Sequence, residues 1–408
     1  MQQQSDKIIR LQGKVQHYAW GGAEFIPDLL GISNEQKKPF AEYWMGAHPS
    51  APSELISSKG NQSLYEAISY HPVTMLGEKV YQAFGELPYL FKVLDVKQML
   101  SIQVHPTKEE AEKGYDAEEA EGIPLNAPHR NYKDRNHKPE VMVALSEFWL
   151  LHGFKSKAAL EKLLSEVPEF NVFLPYFKKA GVKALYQLVM EMGQAEVSAL
   201  LATLVKRAIR LKQEGTIDPS HPAWWVAEWY AYQPEGADID RGIFSIYFFN
   251  IVRLSPGQAI FQGAGIPHAY LQGQNIELMA NSDNVLRGGL TSKHIDVPEL
   301  MKHTIFEEVV PEILNGKTVL PGETVYPCPV PDFGISKIEL NSGLFYTSRA
   351  ASLEICIVTD GGALIDNSLV LKRGEAVAML PGAEYTIYAS GPCTIFKAFV
   401  PGGSSDVE

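Results

Sequence analysis

The spacing of apolar positions changes twice along the 408-residue chain. Up to about residue 60, apolar positions alternate with polar ones or form short blocks between glycines and prolines. This predicts strands joined by turns. Residues 14–22 (KVQHYAWGG) and 40–50 (FAEYWMGAHPS) are of this kind, and residues 89–95 (YLFKVLD) predict a further strand. Residues 62–84 have room for one or two short helices. From about 155 to 214 the period becomes helical. Val197, Leu200, Leu201, Leu204, Ala208 and Leu211 fall on one face, with Lys206, Arg207 and Arg210 opposite or beside it. Strand-like sequence resumes at 243–250 (IFSIYFFN), and residues 251–290 are dense in turns. After Pro311 a separate β-rich unit runs to Val400, with strands expected near 337–340, 352–358, 369–372, 376–380 and 385–389. The expected fold is mainly β with an α insertion. Residues 1–153 and 222–310 form one discontinuous unit, 154–221 a helical insertion and 311–408 a C-terminal unit.

A repeat links the two β-rich parts. Residues 257–268 (GQAIFQGAGIPH) align without gaps to residues 374–385 (GEAVAMLPGAEY). This turn–strand–turn pattern resembles the second signature of cupin barrels. It implies two cupin-type (jelly-roll) β-barrels plus a helical domain. His268 in the first copy is Tyr385 in the second, so the second barrel is expected to hold no metal.

Composition narrows the function. A formal net charge of −12 argues against nucleic acid or an anionic membrane as partner, so any basic groups that bind an anionic ligand must be local. No apolar run reaches membrane-spanning length, and the N-terminus has no signal-peptide pattern. Cys328, Cys356 and Cys393 are odd in number and widely spaced, as expected of free thiols in a reducing cytoplasm.

The chemistry is concentrated near residues 100–106 (LSIQVHP). On a strand, Ser101, Gln103 and His105 share one face, and Leu100, Ile102 and Val104 the other. Three polar groups in a row suit a wall around something polar. Glu140 enters another strand after Pro139, and His268 sits at the cupin-like turn. Two imidazoles, a carboxylate and a carboxamide oxygen suit a borderline divalent cation such as Zn2+, although glutamine is an unusual zinc ligand. The polar stretch 107–136 between two strands has the character of a lid or site wall.

Residues 40–53, 90–94, 100–106, 136–140, 267–270 and 281–291 together resemble type I mannose-6-phosphate isomerase, in order from about residue 14 to about 300. The family implies a zinc-dependent aldose–ketose isomerase acting between mannose 6-phosphate and fructose 6-phosphate. Carried over by motif, the ligands of one zinc ion per chain are Gln103, His105, Glu140 and His268. Thr107 departs from the aspartate common after the family's His-Pro. Moving a carbonyl from C1 to C2 through an enediolate needs a base, a group for the oxyanion and a distant grip on phosphate. Arg287 is expected at the enediolate. Lys138, Glu277 and Asp283 are equal candidates for acid–base work, and His137 is a further one. Ser101 and Lys92 are expected at the phosphate, and Trp20 and Tyr270 against the sugar ring. Glu42, Trp44 and His48 belong to the family pattern without an assignable role. Two other readings fit the residues. One is a two-histidine, one-carboxylate iron enzyme in which Gln103 only hydrogen-bonds. The other is a non-catalytic sugar-phosphate sensor. The expected partner is a small sugar phosphate, with no nucleic acid or membrane, for a monomer or weak homo-oligomer.

Overall fold

The computed structural model describes residues 7–402 apart from 59 and 235. Among these, the strands form sheets of nine, ten and four members, with the longest helices between residues 157 and 248 and others at 25–30, 64–84, 108–120 and 297–303. The chain is mainly β with some helices. Among the described residues, no single helix is long and apolar enough to cross a membrane.

The ten-stranded sheet carries the polar strands singled out above. Its longest member, His268–Ala280, pairs with Tyr89–Val96 and with Glu140–Ala144 along its second half. Along its first half it pairs with Phe148–Phe154 and Gln103–Val104. One continuous strand therefore spaces groups from four others. In the nine-stranded sheet, Ile8–Gln12 and Glu54–Ser57 add to the strands of residues 317–399 through pairing with Ala376–Met379. Both sheets share a core. Met45, Phe91 and Leu278 from one pack in the same cluster as Ile335, Ile355 and Phe396 from the other.

The repeat holds in the backbone. Ala259–Gln262 and Ala376–Met379 are matching strands, each preceded by a glycine with positive φ (Gly257 at 84°, Gly374 at 82°). Gly265 and Gly382 also match, at 78° and 73°. A Cβ on Gly265 would meet Ile305 at 2.8 Å, so glycine is required there by both conformation and space.

Three local expectations differ from the structure. Residues 243–250 are not one strand: Gly242–Phe248 is a helix, and Phe249–Leu254 is the strand. Every residue of that helix is buried, so no polar face marks its period, and its aromatic and β-branched side chains mimic a strand. Residues 62–84 hold three helices, Leu64–Tyr70, Pro72–Leu76 and Glu78–Phe84, divided at His71–Pro72 and Gly77. In 100–106 only Gln103–Val104 is ladder-paired, and Leu100 lines the same cavity as Gln103 rather than facing away. The bonds from Leu100 N to Tyr270 O (2.9 Å) and Ile102 N to Gly289 O (3.0 Å) go to different segments, which breaks the strict alternation. Helices also continue past residue 221, at Pro222–Tyr230 and Gly242–Phe248, within the helical core cluster.

Candidate metal centre

His105, Glu140 and His268 meet in the interior. His105 Nε2 lies 3.3 Å from one Glu140 oxygen, and His268 Nε2 lies 3.4 Å from the other. The ligand atoms all fall within 4.8 Å of one another. Their strands explain the meeting: Glu140 opens a strand paired to His268–Ala280, and Gln103 is directly opposite His268. Gln103 lines the small cavity of about 60 Å³ that Glu140 and His268 also line.

The hydrogen bonds fix the tautomers. His105 Nδ1 is 2.8 Å from the Asn284 carbonyl, and His268 Nδ1 is 2.9 Å from the Ile266 carbonyl. A carbonyl only accepts, so each Nδ1 carries a proton, and in the neutral ring each Nε2 then presents a lone pair. Two lone pairs and a carboxylate then converge in a buried space, and His105 Nε2 has no hydrogen-bond partner. Such a donor set is satisfied by a divalent cation of the zinc type, with the backbone carbonyls as outer supports. Burial also depresses the His105 imidazole, to about 4, which favours the neutral, ligating form.

Beside these groups lies a second buried cluster. Lys92 sits 3.1 Å from Glu277 and 3.4 Å from Glu42. Tyr270 OH donates to Glu277 (2.8 Å) and accepts from Gln262 (3.0 Å), and Trp44 Nε1 donates to Glu42 (2.5 Å). Burial discharges a lone ammonium, but Glu42 and Glu277 outweigh it here and hold Lys92 charged. Burial raises the Glu277 carboxyl despite Lys92.

The small cavity opens into a cleft of about 940 Å³ that shares Glu42, Lys92, Leu100, Gln103 and Lys138 with it. Ser101, Trp20, Asp283 and Arg287 line the cleft, while Tyr270 lines only the inner cavity. Arg287 is opposite Gln103 in register. Lys138 Nζ is 3.5 Å from Glu140, and Asp283 is 3.3 Å from His48 Nε2, which holds its carboxyl below the ordinary range. His137 instead turns to Asp332, at 3.0 Å.

Lys92, expected at the phosphate, thus already has two carboxylate partners. Lys293 also lines the cleft and was not singled out from sequence. Its only signal is a cation six residues after Arg287, two past the end of the 281–291 motif. Among the described residues, neither the Arg287 guanidinium nor the Lys293 ammonium makes a hydrogen bond or ion pair.

The segment 107–136, expected as a lid or site wall, instead lines a neighbouring pocket of about 660 Å³ with Lys108 and residues 133–136, which meets the cleft at Asp283. Its helix, Lys108–Ala120, starts on a Thr107–Glu110 capping box, so Thr107 serves as the cap. Glu110 also contacts His303 Nδ1 at 3.0 Å, and His303 Nε2 contacts Glu299 at 3.0 Å and Tyr132 OH at 2.6 Å. The segment is thereby tied to the helix Val297–His303.

A buried histidine–glutamate–histidine group at the floor of a polar cleft, on a β-rich scaffold, defines a candidate metalloenzyme. The family described as phosphomannose isomerase type I, catalytic domain, matches residues 8–157. The mannose-6-phosphate isomerase of Salmonella typhimurium is 40% identical over 96% of this chain and 99% of its own length. That of Mus musculus is 34% identical over 95% and 93%. A crystal structure of a phosphomannose isomerase variant from Salmonella typhimurium superposes with a TM-score of 0.87 at 36% identity, covering 97% of this chain and 99% of the other. Another, of the Salmonella typhimurium enzyme bound to fructose 6-phosphate and zinc, gives 0.84 at 36% identity and the same coverage. The chain belongs to the type I phosphomannose isomerase family and is an isomerase.

Proposed function

We propose that this chain interconverts D-mannose 6-phosphate and D-fructose 6-phosphate through an enediolate, using one zinc ion held by Gln103, His105, Glu140 and His268. The observation that carries this is the pair of Nε2 atoms facing Glu140, with both Nδ1 atoms tied to carbonyls. The relatives' names and the zinc- and fructose 6-phosphate-bound neighbour support the substrate and the metal. The two β units read as cupin-type barrels, supported by the repeat and its matching glycines.

Zinc would supply a positive charge for the sugar oxygens at the reacting carbons. The chain's own groups do the rest. Lys138 borders both the inner cavity and the open cleft, whereas Glu277 borders only the first and Asp283 only the second of these. Lys138 is therefore the group best placed to carry a proton between C1 and C2. Glu277, bonded to Lys92 and Tyr270, holds the inner wall. Arg287 faces developing oxyanion charge. Lys293 and Ser101, rather than the doubly paired Lys92, grip the phosphate, because an unpaired cation has charge to offer.

The test is turnover of mannose 6-phosphate in Lys138→Met, Glu277→Gln and Asp283→Asn variants of matched zinc content. The proposal expects the greatest fall in kcat for Lys138→Met. Near-parental kcat in that variant removes Lys138 from proton transfer.

A further inference from the structure

The repeat that matches Gly257 with Gly374 continues across the neighbouring strands. In the first unit Glu140 is opposite Gln262, and in the second Glu354 is opposite Met379, the aligned position. Two residues on, Met142 is opposite Glu277, and Cys356 is opposite Lys397. Glu277 is then opposite Lys92, and Lys397 opposite Ser336. One strand further out, Glu42 is opposite Leu94, and Glu323 opposite Ile338. On the other side, His268 is opposite Gln103, and Tyr385 opposite Ser348. A backbone bond confirms the register: Gly265 N donates to His105 O (2.9 Å), and Gly382 N donates to Ala350 O (2.7 Å). The positions of Gln103, His105, Glu140 and His268 are thus filled by Ser348, Ala350, Glu354 and Tyr385. Those of Glu42, Lys92 and Glu277 are filled by Glu323, Ser336 and Lys397.

The second set is buried and closed on itself. Lys397 Nζ lies 2.8 Å from Glu323 and donates to Tyr346 OH at 2.8 Å. Ser336 and Tyr346 donate to Glu323 at 2.7 and 2.9 Å, and Tyr385 OH donates to Glu354 at 2.7 Å. Where the first unit carries three carboxylates (Glu42, Glu140 and Glu277) and two ammonium groups (Lys92 and Lys138), the second carries two carboxylates (Glu323 and Glu354) and one ammonium (Lys397). The exchange of Glu277 for Lys397 turns a negative group into a positive one beside the retained carboxylate. Burial works against the Lys397 charge, and Glu354, Tyr346 and Glu323 outweigh it.

We propose that the second β unit carries a converted copy of the first unit's polar site, in which Lys397, standing where Glu277 stands, takes over the charge of Lys92 against Glu323, and the divalent-metal position beside Glu354 is latent. The retained Glu354 supplies one ligand. The substitutions Ala350→His and Tyr385→His would supply two imidazoles on the same backbone positions as His105 and His268.

The test is zinc per chain, measured by elemental analysis after equilibration and desalting. The variant combines Ala350→His, Tyr385→His and Lys397→Gln. The expected result is one zinc more per chain than in the parent, lost again when Glu354→Gln is added. A folded variant with the parent's zinc count overturns the proposal. The parent's own count tests the reading of the first unit, while the difference between variant and parent tests this one. A second arm needs no new ligands. Lys397→Gln alone is expected to lower the thermal midpoint, and adding Glu323→Gln and Glu354→Gln is expected to restore at least half of that loss. No restoration means that Lys397 does not act as the counter-charge, and overturns the proposal.

Discussion

In the first β unit two imidazole lone pairs and a carboxylate face one another across a buried space. At the matching positions of the second unit a tyrosine hydroxyl binds a glutamate, with a lysine ammonium alongside. The backbone register is the same, so the difference lies in side chains and in what lies between them. Residues 106–139 separate His105 from Glu140, carry the capped helix Lys108–Ala120 and bring Lys138 to the cleft. Only residues 351–353 separate Ala350 from Glu354. Buried polar groups need partners in either case. One unit leaves its charge for a cation from outside and keeps an open approach to it. The other pairs its two carboxylates within its own chain, Glu323 with Lys397 and Glu354 with Tyr385.

The sharpest way to break this contrast is to remove a group from each side. His268→Ala should lose zinc, measured by elemental analysis, and lower kcat/KM by about 10³-fold or more. Its counterpart Tyr385→Phe should keep zinc and turnover, and lose about 1 kcal/mol of stability with the one hydrogen bond. Lys397→Met leaves Glu323 facing a missing charge and should cost about 3–5 kcal/mol in denaturant unfolding, with zinc content unchanged in the folded fraction. At the cleft, Lys293→Ala should raise KM about 10-fold or more with kcat little changed, while Arg287→Ala should act mainly on kcat. Equal effects of both variants on kcat would place Lys293 at the reacting carbons instead.

The smallest effect concerns the segment 107–136, which only the first unit has. The Glu299 carboxyl is held down to about 2, first by its bond to His303 and then by Tyr132 and Lys302 against the opposing cost of burial. Its folded value is below the ordinary carboxylate value near 4.5, so it stabilises the fold above that pH. This contribution is lost as pH falls from about 4.5 toward 2. Hydrogen exchange in residues 107–136 should rise over that window, and Glu299→Gln should flatten the rise. An unchanged pH dependence in the variant would separate Glu299 from that segment.

The metal group was legible in sequence because each of its members follows a short, local signal: a polar strand face, a proline-led strand and a glycine-bracketed turn. What brings them together is the thirteen-residue strand His268–Ala280, whose partners are set by long-range pairing that no local pattern contains. The same limit hid the charge state of Lys92. Its setting in an apolar run marked it as unusual, but its two carboxylate partners come from strands about 50 residues before and 185 after it. Lys293 lies in a polar stretch where nothing distinguishes a cleft-lining lysine from a solvated one. The helix Gly242–Phe248 was misread because complete burial erases the polar face by which a helix is recognised. The Glu354–Lys397 correspondence needs strand register across two sheets, which appears only in three dimensions.

The proposed function requires one zinc ion on His105, Glu140, His268 and Gln103 for isomerisation, in the first unit alone. It is tested most directly by titrating zinc into chelator-stripped protein while following mannose 6-phosphate turnover. The account predicts that turnover rises in proportion to zinc, levels off at one equivalent per chain and stays at background in the His268→Ala protein. Undiminished turnover by the fully stripped protein would contradict it.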